Sequence, residues 1–263
     1  MLEGMVHSFC AKTGNFILQK CASTGRIVNL LRATIKMLPM ANGKEVVRQM
    51  SKLGADSLPI VTMTIMCTGM VFAVQTAKEF VRFGAAASVG GIVAIAMGRE
   101  LAPILTGVVV AGRIGAAIAA EIGTMKVTEQ IDALKVMATS PVSYLVVPRF
   151  IAIALMLPIL ILYANVVGNL GGWLVATNYA DISSYMYLDS IKQFAELWDM
   201  TAGMLKGIFF GGIIAIVGCH KGLLAKQGAE GVGLATTASV VLSIILIFIS
   251  NYFLSVILFV RGG

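Results

Sequence analysis

The chain has 263 residues, 58% of them hydrophobic and 13% charged, with a formal net charge of +7. Soluble domains average about 45–50% apolar and about 25% charged, so the composition excludes a soluble globular domain and points to one integral membrane bundle. In that setting the positive charge reports a bias of Lys and Arg toward one membrane face and contact with anionic lipid, rather than nucleic-acid binding.

Residues 1–56 hold no span, and their first apolar run is interrupted by Lys12 and Lys20, unlike a secretory signal. They are amphipathic instead. Ile27, Leu31, Ile35 and Leu38 recur at helical spacing among Arg26, Arg32 and Lys36. After Pro39 and Gly43, a basic stripe of Lys44, Arg48 and Lys52 opposes Val46, Val47, Met50 and Leu53. Helices of this kind lie in the headgroup plane, apolar side down. A cytosolic helix packed on a partner is the alternative.

Five apolar runs follow, each long enough to cross a ~30 Å core at about 1.5 Å per residue. Span 1 is expected at about Leu58–Phe80, span 2 at Val89–Ala120, span 3 at Phe150–Ala176, span 4 at Thr201–Cys219 and span 5 at Ala235–Val260. Span 2 exceeds one crossing and must kink, tilt or project. Between spans 3 and 4 lies a polar connection, Thr177 to Asp199, surrounded by Trp173, Tyr179, Tyr185, Tyr187 and Trp198 in the manner of an interfacial aromatic belt. The N-terminal segment, Arg113, Lys126, Lys135, Arg149, Lys221 and Lys226 hold most of the Lys and Arg, while Lys78, Arg82, Lys192 and Arg261 fall on the other side. The imbalance places the N-terminus in the cytoplasm and the C-terminus outside. Gly107, Ala111, Gly115, Ala119 and Gly123 recur every fourth residue in span 2, as do Gly203, Gly207, Gly211 and Ala215 in span 4 and Gly168 and Gly172 in span 3. Small residues at this spacing let helix backbones approach closely in lipid, so spans 2, 3 and 4 should form a tight centre.

Motifs for catalysis are missing. No G-x-x-x-x-G-K-[ST] occurs, and Gly231-Val-Gly233 lacks the third glycine of a dinucleotide fingerprint. His7 and His220 form no metal or triad constellation. Cys10, Cys21, Cys67 and Cys219 are too dispersed for a zinc site or disulfide scaffold. Arg99 and Glu100 are the anomaly, because a charge at membrane depth costs roughly 2.5–3.5 kcal/mol and should face the bundle interior or a cavity. Neither has an opposite charge three or four residues away. Pro103 cannot donate to the carbonyl of Arg99, which leaves a polar break there. Function and an inert pair, such as Glu100 with Lys206, both remain open.

Glu121–Met137 reads as a helix facing the cytoplasm. Val127, Ile131, Leu134 and Ala138 form an apolar stripe, Lys126, Glu129, Gln130 and Asp132 stay polar, Thr124 or Thr128 can cap its start, and Thr139-Ser140-Pro141 ends it. Its polar face is mixed in sign, so docking into a groove of a cytoplasmic protein fits better than lying on lipid.

The runs GRELAPILTGVVVAGRIGAAIAAEIGTMKVTEQIDALKVMATSP, PRFIA and GAEGVGLATTASVV resemble the MlaE-type permeases of lipid-transporting ABC systems, over roughly residues 40–260. The resemblance implies an all-α integral membrane protein: a segment 1–56 of interfacial amphipathic helices, then a five-span permease domain at 57–263 with a cytoplasmic coupling helix between spans 2 and 3. It further implies a homodimer in the bacterial inner membrane, bound to a cytoplasmic ABC ATPase dimer and a periplasmic MCE-domain oligomer, moving phospholipid between inner and outer membranes. ATP and Mg would reside on the ATPase, with no cofactor in this chain and no enzymatic activity. Carried over residue by residue, Glu121, Gly123, Thr124, Met125, Thr128, Glu129, Gln130, Asp132 and Leu134 would couple to the ATPase. Met70, Val71, Val74, Gln75, Lys78, Arg99 and Glu100 would line the lipid pathway. A proton-coupled secondary transporter using Arg99 and Glu100, and a membrane scaffold without transport, are the competing readings.

Overall fold

Helix boundaries follow the polar and proline punctuation of the chain. The computed structural model describes Leu18 and residues 22–260; His7, Cys10, Lys12, Lys20, Cys21 and Arg261 lie outside the described residues. Helix α1 spans residues 22–37 and ends in a 3-10 turn, Leu38–Met40, built on Pro39. Asn42 then accepts a hydrogen bond from Lys44 N at 3.2 Å and caps α2, Gly43–Ala55. Val46 of α2 is buried in the main core, whereas Lys44, Arg48 and Lys52 stay exposed. α1 likewise packs Ile27, Leu30 and Leu31 inward.

Among the described residues, five helices are long and apolar enough to cross a membrane: α3 (Leu58–Arg82), α4 (Ala86–Val127), α6 (Val142–Tyr179), α8 (Leu197–Leu223) and α9 (Gly228–Phe259). The five-span expectation holds. Each helix outruns its apolar run because no breaker stops it where the charges begin. α4 has 42 residues, about 63 Å at 1.5 Å per residue, so it projects past a ~30 Å core. It carries π-helical turns at Met97–Leu101 and Ala111–Gly115, the first holding Arg99 and Glu100.

α4, α6 and α8 form the centre, with half or more of their apolar windows buried, against 22% for α3 and for α9. Small residues make the crossings close, as expected. Gly203 faces the carbonyl of Gly98, Gly211 the backbone of Ile153 and Ala154, and Gly69 of α3 the carbonyl of Gly168 in α6. A side chain at any of these would strike backbone. α9 turns Ala235, Ser239, Ser243, Ile247 and Asn251 toward the bundle.

Two expectations change. The polar connection contains a helix, α7 (Ser184–Phe194), capped by Ser183 accepting from Met186 N at 3.2 Å. α7 folds back on the start of α4: the Ser190 hydroxyl accepts from Gly91 N at 2.8 Å, and Tyr187 is fully buried. Of the expected aromatic belt, only Tyr179, Tyr185 and Trp198 are exposed. Second, Glu121–Met137 is not one helix. Residues 121–127 are the last turns of α4, and Glu129 in the left-handed region (φ 60°) separates them from a short α5, Gln130–Val136. Neither Thr124 nor Thr128 caps α5; the Thr128 hydroxyl donates instead to the Thr124 carbonyl at 2.8 Å.

Candidate functional site

Charge is concentrated where α4, α8 and α9 meet at the α7 end of the bundle. Arg99 Nε donates to Asp199 Oδ1 at 2.6 Å. Asp199 also takes the N–H of Glu196 at 3.2 Å, completing a capping box on α8. Glu100 accepts from Lys206 Nζ at 2.9 Å, Ser255 Oγ at 2.7 Å and Asn251 Nδ2 at 2.8 Å. Lys206 is fully buried and donates again to the Arg99 carbonyl at 2.7 Å and to Ser255 Oγ at 2.8 Å. Phe259 covers both cations, its ring centre 4.9 Å from the Arg99 guanidinium carbon and 5.2 Å from Lys206 Nζ.

Two acids and two bases therefore neutralise one another within the chain. A buried charge survives only when paired and hydrogen-bonded, and the array meets that demand across three spans. The Arg99 and Glu100 side chains keep 37% and 38% exposure, so one side of each faces outward. Asp199, Lys206, Asn251 and Ser255 were absent from the site expected by sequence, save Lys206 as an alternative partner. Asn251 and Ser255, four residues apart in an apolar span, were the available signal.

At the opposite end, the α4–α5 hairpin distributes the expected coupling residues unevenly. Glu121 is held by Arg149 Nη2 at 3.0 Å. Gly123 is buried against Ala225 and Val232, and Met125 and Leu134 pack on the chain's own core. Ile131, centre of the stripe expected to enter a partner, is 2% exposed within that core. Thr124, Thr128, Glu129 and Gln130 are exposed. Asp132 joins Lys135 at 2.7 Å and Lys126 at 3.0 Å, and these hydrogen bonds hold its carboxyl below its ordinary value. Val136 and Met137, 88% and 65% exposed, form the apolar tip.

The expected pathway residues divide into two groups. Val71, Gln75 and Lys78 share an exposed stripe of α3, with Met70 and Val74 partly buried beside it. Arg99 and Glu100 bond to α8 and α9 instead. α9 is open over a comparable length, with Val241, Ile245, Phe248, Tyr252 and Phe253 exposed. Among the described residues no group of three or more His, Cys, Asp and Glu could hold a metal ion.

Comparison with known proteins gives a consistent relationship. Residues 46–257 match the family model described as Permease MlaE. A probable ABC transporter permease of Synechocystis sp. is 48% identical over 222 residues, covering 84% of each chain. One from Rickettsia typhi is 47% identical over 214 residues, covering 81% of this chain and 83% of its own. Protein TRIGALACTOSYLDIACYLGLYCEROL 1, chloroplastic, of Arabidopsis thaliana is 40% identical over 220 residues, 84% of this chain and 63% of that one.

Proposed function

The chain belongs to the permease MlaE family, and on that premise we propose that it is the lipid-conducting half of an ATP-driven phospholipid transporter. That it is a multi-pass permease subunit of the ABC transporter class follows from the family itself. The substrate, the dimer and the MCE-domain partner belong to the proposal. The supporting observation is the openness of α3 and α9. Both are spans whose apolar windows are only 22% buried within the chain, less than half the share buried in α4, α6 and α8, which leaves most of each helix surface for lipid or a second copy. A second copy packed there would enclose a cleft lined by Val71, Gln75 and Lys78 of α3, with α9 opposite. An acyl chain suits such a wall, and Lys78 would meet a phosphate at its end. The name of the Arabidopsis relative, that of a glycolipid, is in keeping with a lipid substrate.

ATP would be hydrolysed on a separate subunit, and the exposed tip of the α4–α5 hairpin would receive the force and pass it along α4. Arg99 and Glu100 then hold α9 against α4 and α8 while their exposed edges border the cleft. Reconstitution with the ATPase and an MCE-domain protein, followed by lipid transfer between vesicles, tests the reading. Transfer should require ATP and fall with Val71→Trp. Transfer driven by a proton gradient without ATP would establish the secondary-transporter alternative, and no transfer under either condition would leave a scaffold.

A further inference from the structure

Arg113 and Arg99 occupy the same place in two occurrences of one local arrangement. Each follows a glycine, Gly112 or Gly98, and each sits at the middle of a π-helical turn of α4, Ala111–Gly115 or Met97–Leu101. Each also leaves its own helix to meet the start of another span. Arg99 reaches Asp199 in the first turn of α8. Arg113 reaches the joint between α2 and α3, where Nη1 donates to Ser57 Oγ at 2.9 Å and Nη2 lies 3.5 Å from Asp56 Oδ2. The Arg99 contact belongs to the charged array already described. The Arg113 contact lies further along α4, toward the α4–α5 hairpin.

The joint is only Asp56 and Ser57, because α2 ends at Ala55 and α3 starts at Leu58. Ser57 is fully buried and immediately precedes α3, yet its hydroxyl does not cap that helix and accepts from Arg113 instead. On its other side the end of α2 is seated on α6, where Gly54 lies against Met156. A guanidinium fork that engages two consecutive residues fixes direction as well as distance. Deeper in the bundle, Val61 and Ile65 of α3 share an apolar cluster with Val93, Met97 and Ala102 of α4. Apolar contact is non-directional, so the Arg113 fork is what sets the register of α3 on α4 at the joint. The Arg113 and Asp56 side chains are 38% and 57% exposed, and such an ion pair adds little to stability. Its consequence is positional.

We propose that Arg113 is a positioning residue that passes displacement of α4 to α3. The proposal rests on the reading above, in which the ATPase acts on the α4–α5 hairpin and α3 walls the lipid cleft. From Arg113 the helix runs on to Val127, about 21 Å at 1.5 Å per residue. A pull on the hairpin travels along that rigid length, moves the Asp56–Ser57 joint through the fork, and tilts the stripe of Val71, Gln75 and Lys78.

The test uses the complex with its ATPase in vesicles, carrying Cys10→Ser and Cys21→Ser, with a fluorophore on Cys67. Cys67 is exposed on α3, whereas Cys219 is buried and stays unlabelled. Trapping the ATPase with vanadate should shift the Cys67 emission in this parent. Arg113→Gln should abolish the shift and, in unlabelled protein, lower phospholipid transferred per ATP hydrolysed about tenfold, the size of an ordinary coupling between sites. Arg113→Lys keeps the charge without the fork and should fall between. Melting temperature in detergent should stay close to the parent's, and Asp56→Asn, at an exposed site, gives the same test if Arg113→Gln folds poorly. A shift that persists in Arg113→Gln, or an unchanged ratio of transfer to hydrolysis, would overturn the link. So would a parent with no shift at Cys67, whatever it transfers. A parent that shows the shift but moves no phospholipid would overturn the lipid reading and leave the link standing.

Discussion

Lys206 Nζ donates to the backbone carbonyl of Arg99 at 2.7 Å, the oxygen to which Pro103, four residues on, has no N–H to offer. A lysine from α8 thus meets a carbonyl deprived of its α-helical donor in α4. The same nitrogen holds Glu100 and Ser255, so one buried cation fastens three spans at a π-helical turn. Turns of this kind occur often at functional sites, and here the turn places consecutive residues, Arg99 and Glu100, against different acid and base partners.

Lys206→Met should therefore destabilise the protein by about 3 kcal/mol. Removing one partner of a buried pair costs about 3–5 kcal/mol, and the low end applies because the Glu100 side chain keeps 38% exposure. Adding Glu100→Gln to Lys206→Met should recover part of the loss, since no uncompensated carboxylate remains. Thermal unfolding in detergent measures both. A double variant as unstable as the sum of its single variants would show that the pair is not coupled.

Gly69→Ala should cost about 1–3 kcal/mol, as overpacking does, because its Cβ would meet the Gly168 carbonyl and force α3 away from α6. Gly112→Ala meets nothing within 4 Å and should stabilise α4 by about 0.5–1 kcal/mol through helix propensity. Melting temperatures of the two variants should move in opposite directions.

Hydropathy made the spans legible, and the glycine and alanine ladders made the central three legible, because both are local properties of the chain. The pairing of Glu100 with Lys206 was accessible for a related reason: charges in spans are scarce, so possible partners are few. Asp199 was not accessible, since it read as part of a polar connection and lies 100 residues from Arg99. α7 was missed because its apolar side, Tyr187 and Ile191, resembles an interfacial belt until α4 is seen beneath it. The break at Glu129 had no glycine or proline to announce it. The stripe through Ile131 was read correctly as amphipathic but assigned the wrong neighbour, because periodicity reports that a face is buried and not against what.

Acid should loosen the α4–α5 hairpin in a defined direction. Hydrogen bonds from Lys135 and Lys126 hold the Asp132 pKa below its ordinary 3.8. The folded state thus favours the charged form. This contribution is present in full above about 3.8 and is lost as pH falls through the depressed value. Pepsin cleavage within residues 130–137 should accelerate as the pH falls below that value. Asp132→Asn should cleave quickly across the whole acid range, and a wild-type rate that ignores pH there would contradict the assignment.

Substitutions at Ile131 and at the tip residues Val136 and Met137 separate support from docking at α5. Ile131 is 2% exposed in the chain's own core, whereas Val136 is 88% exposed. Ile131→Ala should open a cavity and cost about 2–5 kcal/mol, lowering the melting temperature of the isolated permease. Val136→Asp, with Met137→Asp, should leave the stability within about 0.5 kcal/mol of wild type, as exposed surface changes do. If the tip is what the ATPase grips, the Asp variants should lose co-purification with it while Ile131→Ala, once folded, retains it. Apolar anchors at the centre of an interface cost 2 kcal/mol or more when removed, roughly a thirtyfold loss of affinity. Retention of the ATPase by the Asp variants would move the docking surface to the polar side of the hairpin, where Glu129 and Gln130 are exposed.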